Sequence, residues 1–265
     1  MLELLSLTPI LKGFIVLTMA GLTFPVTGVY LFRLNLLPLR FMLMHGAILG
    51  GAMALALHIN PFWTTIAVNL LMVVFMAKSS RILKTDTGQM STFFMVISIS
   101  LAFIIIYKFN VPAKDTLTLL WGNLYMLSWN EITGIAFFCL LLIAFQYYFR
   151  NQLTAMFFDR EIAFTSGINE SLLYYMVILI VAITVALAMK LIGALLLDAI
   201  LLLPPLIASF KAKSLRTMVL YSAIWGGVFS VAGFLLSIAI DIPASSAVAG
   251  LASLVFVVIF FTRKK

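Results

Sequence analysis

Apolar residues in this chain run in long blocks separated by short polar punctuation. A helix that crosses a membrane needs roughly 20 predominantly apolar residues. Backbone groups in lipid must be satisfied within the segment itself, which makes helices the natural reading of such blocks. The pattern predicts spans near 9–32, 37–57, 61–77, 91–109, 133–149, 172–189, 191–209, 217–240 and 244–262. The weakest division lies between 172 and 209, where Lys190 and Gly193 offer the only dividing point. That stretch reads either as two spans or as one span with a broken or re-entrant piece. The expected fold class is therefore an all-α polytopic membrane protein of eight to nine transmembrane helices. The loops are too short for a soluble domain, so 1–265 is expected to form a single transmembrane domain.

Composition narrows the picture further. Of the 265 residues 64% are hydrophobic and 10% are charged, against about 25% charged in an average soluble domain. A soluble globule could not hide that much apolar surface, and a disordered chain would be far more polar. One cysteine, Cys139, excludes a disulfide framework and a multi-cysteine metal site. The N-terminus carries Glu3, lacks a basic leading region and runs into a long apolar segment, so it does not read as a secretory signal.

The formal net charge of +8 could point to nucleic acid, but the placement of the cations argues against it. Arg33, Arg40, Lys78, Arg81, Lys84, Arg150, Arg160, Lys211, Lys213, Arg216, Arg263, Lys264 and Lys265 fall on one side of the predicted spans. Only Lys12, Lys108, Lys114 and Lys190 fall on the other. Lysine and arginine accumulate in cytoplasmic loops, so the first side is expected to be cytoplasmic. That orientation puts the C-terminus inside and, with nine spans, the N-terminus outside.

A membrane chain with so little polar material could be a channel, a secondary transporter, an intramembrane enzyme or one subunit of a larger machine. The cytoplasmic loop 150–171 helps to choose. It carries Asp159, Arg160 and Glu161 between Phe157, Phe158, Ile162 and Phe164, with Gly167 as a helix stop. A short amphipathic helix of this kind, at about 155–168, reads either as a docking element for a soluble partner or as a helix lying on lipid.

The segment Phe158-Asp159-Arg160-Glu161-Ile162-Ala163 with Gly167 resembles the coupling helix of the zinc/manganese/iron permease family of ABC importers, which has the pattern F-D-x-E-x-A-x-x-x-G. Further segments resemble that family in the same order along the chain: Trp121-Gly122-Asn123 with Leu127 to Glu131, Leu191 to Pro205, Ser214 to Met218, and Asp241 to Ser245. The resemblance implies a homodimeric ABC importer permease fold in a bacterial inner membrane. It also implies two copies of a separate ATPase docking at Phe157, Phe158, Asp159, Arg160, Glu161 and Gly167, and an extracytoplasmic protein that delivers a divalent transition metal. No phosphate-cradling G-x-x-x-x-G-K-[ST] loop occurs here. ATP is thus expected to act through the partner, with no cofactor on this chain and no covalent chemistry in it.

The family's second span usually carries Asp and His four residues apart, one helical turn and one face. Here the His position is His45 and the Asp position is Phe41, which cannot ligate a metal. Asp198, in turn, stands where the family usually has Ser. An intramembrane carboxylate is costly and normally faces a partner or a wet cavity. His45 and Asp198 are therefore candidate metal ligands, and two subunits would offer an N2O2 set suited to a divalent transition metal. The plainer reading makes Asp198 a helix cap or a partner of Lys190, and His45 a satisfied bundle residue. Phe41, Met44 and His58 are weaker pathway candidates, with His58 also readable as an ordinary interfacial residue. Gly46 and Gly50 allow close helix approach, either at a dimer contact or to leave room for cargo. The departure at Phe41 keeps a chelated metal or a small organic cargo open, and a proton-coupled secondary transporter is the rival from another class.

Overall fold

The computed structural model describes residues 7–112, 122 and 124–263, with the side chains of all of these except Arg160, Leu195 and Arg263. Trp121 and Asn123 of the external stretch lie outside the described residues, as do Glu3, Lys114, Lys264 and Lys265. Ten helices and no strand occur among the described residues: α1 (Thr8–Arg33), α2 (Leu37–Leu57), α3 (Pro61–Leu83), α4 (Thr87–Lys108), α5 (Trp129–Tyr148), α6 (Arg150–Phe158), α7 (Arg160–Thr165), α8 (Glu170–Ser209), α9 (Leu215–Ile240) and α10 (Ala244–Arg263).

Polar residues between the apolar blocks act as helix punctuation. Asn60 caps α3 through Oδ1, which accepts from the Phe62 amide at 2.9 Å, and Pro61 opens that helix. Asp86 caps α4 by accepting from the amides of Gly88 and Gln89. Ser128 and Glu131 form a reciprocal capping box at α5, and Ser214 and Thr217 form one at α9. Asp241 ends α9 in the left-handed conformation at φ 52°. Each cap satisfies amides or carbonyls that a helix terminus leaves without intrahelical partners.

Eight helices are long and apolar enough to cross a membrane: α1 to α5, the first arm of α8 (Glu170–Ala194), α9 and α10. The ninth predicted span, 191–209, is replaced by a shorter arm of α8, Leu196–Ser209. Between the two arms Gly193 adopts φ 73° and ψ 178°, a region essentially reserved for glycine. At 1.5 Å per residue the short arm is about 21 Å long, against ~30 Å of hydrocarbon. Eight helices thus have spanning length, Leu196–Ser209 is the broken piece, and Gly193 rather than Lys190 marks the break.

The chain divides into two compact units, Met1–Val29 with Asn123–Ile168 and Leu195–Lys265, and Tyr30–Gly122 with Asn169–Ala194. In the first unit glycines let α1 approach its neighbours at backbone distance. Pro25 has no amide hydrogen, so the Gly21 carbonyl one turn earlier loses its helical partner. Gly226 of α9 stands against that oxygen. Pro205 frees the Leu201 carbonyl in the same way, and Gly28 of α1 stands against it. Phe14 packs on Phe234 with ring centroids 5.3 Å apart, and the Thr23 hydroxyl lies 3.2 Å from the Cys139 sulfur.

In the second unit α2 packs on both α3 and α4. Gly46 meets Asn69 and Met72 of α3, and Gly50 meets Thr65 and Val68. The Ser98 hydroxyl of α4 reaches the Met72 sulfur at 3.3 Å. Gly46 and Gly50 thus serve packing within the chain. Where α8 breaks, Gly122 (φ 71°) lies against the Gly193 amide and Ile192. Lys190, one turn earlier, holds its ammonium over the Phe62 ring at 5.1 Å.

Candidate functional site

The helical period sorts α2 into two faces. Phe41, Met44, His45 and Ile48 share one side, because residues three and four apart lie over one another. Gly46 and Gly50 lie on the side that meets α3. Phe41 is 41% exposed, whereas Met44 and His45 are half-buried. His45 Nδ1 is 2.7 Å from the Phe41 carbonyl oxygen. A carbonyl only accepts, so Nδ1 carries the proton and donates it. In the neutral ring the lone pair then resides on Nε2. A backbone acceptor behind one ring nitrogen is the usual way a histidine is oriented to ligate through the other.

Phe41 brings no ligand atom, and its surroundings add positive charge. The Arg40 guanidinium lies over the Phe41 ring at 4.2 Å, with Arg40 itself buried. Asp198 is half-buried in the first turn of the short arm Leu196–Ser209. A carboxylate there is favoured by the partial positive charge of the helix N-terminus. His45 belongs to the second unit and Asp198 to the first. No group of three or more His, Cys, Asp or Glu that could hold a metal ion occurs among the described residues. His58 is exposed and forms the left-handed C-cap of α2 at φ 53°, its amide donating to the carbonyls of Ala54 and Leu55.

The loop 150–171 folds as two helices where the sequence pointed to one at about 155–168. Asp159 is the joint. It ends α6 in an extended conformation, and its Oδ1 accepts from the amides of Glu161 (2.7 Å) and Ile162 (3.2 Å) at the start of α7. Asp favours this break because its short carboxylate competes for local backbone amides. Gly167 ends α7 at φ 76°. Leu153, Met156 and Ala163 turn inward, while Phe158 (82% exposed), Ile162 and Phe164 turn outward. Phe157 is half-buried, and Glu161 is exposed. The side chain of Arg160 lies outside the described residues. Arg216, in the first turn of α9, donates to Asn151 of α6 at 3.2 Å, which ties this stub to a span.

One residue that sequence reasoning passed over is Asn69. It is fully buried on α3, and neither its Nδ2 nor its Oδ1 has a hydrogen-bond partner among the described residues. The signal was available, since it is the one carboxamide within the apolar run 61–77. In the first unit, Lys12 lies 4.4 Å over the Trp129 ring and donates to the Leu127 carbonyl. Nearby, burial pushes the Tyr125 phenol upward, opposed by a hydrogen bond with Ser237.

Comparison with known proteins gives consistent results. The sequence profile of the ABC 3 transport family matches residues 6–263. The chain is 29% identical over 227 residues to the manganese import system permease protein ScaB of Streptococcus gordonii, covering 83% of this chain and 79% of that protein. It is 25% identical over 227 residues to the high-affinity zinc uptake system membrane protein ZnuB of Haemophilus influenzae, covering 84% and 85%. Its fold is similar to that of PsaBC from Streptococcus pneumoniae in complex with Fab, with a TM-score of 0.84 at 19% identity, covering 97% of this chain and 92% of that one.

Proposed function

Since the chain belongs to the ABC 3 transport family, we propose that it is the permease through which an ABC importer carries a divalent transition metal (zinc, manganese or iron) across a bacterial cell membrane. The chain is a permease subunit and not an enzyme, and ATP hydrolysis resides in a separate subunit. The observation that carries the substrate reading is the family match over 6–263, joined by relatives from a manganese and a zinc system.

In the proposed assembly two copies of the chain form one permease, each acting as a single domain over 1–265. Two ATPase copies grip the α6–α7 stub through Phe157, Phe158, Asp159, Arg160, Glu161 and Gly167. An extracytoplasmic binding protein delivers the cargo, and the C-terminus faces the cytoplasm. ATP-driven closure of the ATPases moves the stub, and the Arg216–Asn151 hydrogen bond passes that movement to α9. The pathway then switches between outward and inward access. His45 is the proposed imidazole ligand through Nε2, and Asp198 is a proposed carboxylate ligand. Phe41 and Met44 flank the route, and His58 stands at its outer mouth.

A second cargo reading, a chelated metal or small organic molecule, is favoured by Phe41 and the guanidinium stacked on it. A positive charge beside the pathway is less hostile to a shielded metal than to a bare cation. Reconstitution with the ATPase and binding protein separates these readings. Nucleotide-dependent accumulation of free zinc, manganese or iron is expected. Accumulation only of the chelate overturns the bare-ion reading. Uptake by this chain alone, driven by a proton gradient without nucleotide, overturns the importer reading altogether.

A further inference from the structure

We propose that the basic end of α3 is a docking surface for anionic phospholipid headgroups. The helix offers two opposite faces. Thr65, Asn69, Met72 and Met76 are buried, whereas Leu71, Phe75 and Ile82 are each more than half exposed. At about 100° per residue, Lys78 lies about 20° beyond Leu71 at the edge of that stripe, and Arg81 falls within the same arc of about 120°. Both cations are exposed, as is Lys84 at the helix end. The apolar stripe of a membrane helix therefore runs without interruption into a cluster of cations.

Depth favours lipid over a soluble partner. The 23 residues of α3 span about 34 Å, against ~30 Å of hydrocarbon, so the last turn emerges at headgroup level. Interleaved apolar and cationic side chains suit that zone, the first reaching acyl chains and the second phosphate. The cluster is also held in shape. Lys84 takes the left-handed conformation at φ 50°, with its amide donating to the Ser80 carbonyl. The Ser80 hydroxyl closes the turn on the Thr85 carbonyl at 2.7 Å. The neighbouring acid, Asp86, is engaged in capping α4. Among the described residues Lys78, Arg81 and Lys84 have no ion-pair partner, so their charge is left for an external anion.

The test uses the full-length chain in nanodiscs of phosphatidylcholine with and without phosphatidylglycerol, and retained lipid is read by native mass spectrometry. The wild-type chain is expected to retain phosphatidylglycerol preferentially, and rising salt should erase that preference. The K78Q/R81Q/K84Q variant should lose about fivefold of the preference per cation removed. The charge-retaining K78R/K84R variant should keep it, as should K211Q/K213Q, which removes cations elsewhere. Equal retention by wild type and the triple variant overturns the proposal. So does a preference indifferent to salt in the wild-type chain, a measurement that needs no variant to fold. A triple variant that keeps its lipid but loses a second copy or the ATPase assigns the surface to that protein instead, which also overturns it.

Discussion

Gly28 of α1 rests against the carbonyl oxygen of Leu201, the one that Pro205 deprives of its helical partner. The same arrangement recurs with Gly226 and the Gly21 carbonyl, freed by Pro25. An unpaired carbonyl in a membrane interior is tolerated where protein covers it. A glycine Cα brings its weakly polar C–H to the oxygen and leaves no side chain in the way. Two carbonyls left by prolines are thereby accommodated by two close glycine contacts.

Alanine at position 28 or 226 places a methyl group on backbone atoms that cannot rotate away. Each variant should cost about 1–3 kcal/mol or more. The cost is read as a lowered thermal midpoint of the detergent-solubilised chain. Gly250→Ala is the control, since nothing lies within 4 Å of a Cβ there. It should leave the midpoint unchanged or raise it, alanine being the better helix former.

Asn69→Leu replaces a fully buried carboxamide that has no hydrogen-bond partner among the described residues. Removing that unmet polar group should stabilise the second unit by about 1–3 kcal/mol. A thermal melt of the variant checks this, and a lowered midpoint would show that the amide is paired in the membrane.

Asp159→Ala removes the acceptor for two amides of α7, a loss of about 1 kcal/mol. A six-residue helix without its cap should fray. Co-purification with the ATPase should fall sharply, while Asp159→Asn, which keeps a capping oxygen, should retain most of it. Equal retention by all three proteins would remove α7 from the docking surface.

His45→Ala should abolish metal uptake in the reconstituted importer while leaving ATPase binding intact. Asp198→Asn should do the same if the carboxylate ligates cargo. Loss of folded protein on size exclusion, rather than of uptake, would assign Asp198 to the helix start instead.

The spans were legible because apolar length alone decides them. Their limits were less so, since a helix such as α3 continues past its apolar run through Lys78 and Arg81 to Leu83. Three segments that carry the family likeness prove to be helix punctuation: Ser128 with Glu131, Ser214 with Thr217, and Asp241. Caps are local chemistry, which is why they can be read in a sequence. The break at Gly193 was visible only as an ambiguity, because its positive φ coincides with the close approach of Gly122 from far along the chain. The α6–α7 joint was missed because Asp159 reads as a surface charge until its two amide bonds are seen. The orientation of His45 depends on a ring rotamer, which no spacing rule supplies.

The abbreviated second arm of α8 bears on how an ion could pass at all. Moving a bare charge through oil costs energy that rises with the thickness of the low-dielectric layer. Leu196–Ser209 covers about two thirds of that depth, and protein closes the rest, since Ile192, Leu196 and Leu197 are almost fully buried. The turn at Gly193 is where that coverage stops, and lengthening the arm there would drive new atoms into Gly122, which already lies against the Gly193 amide.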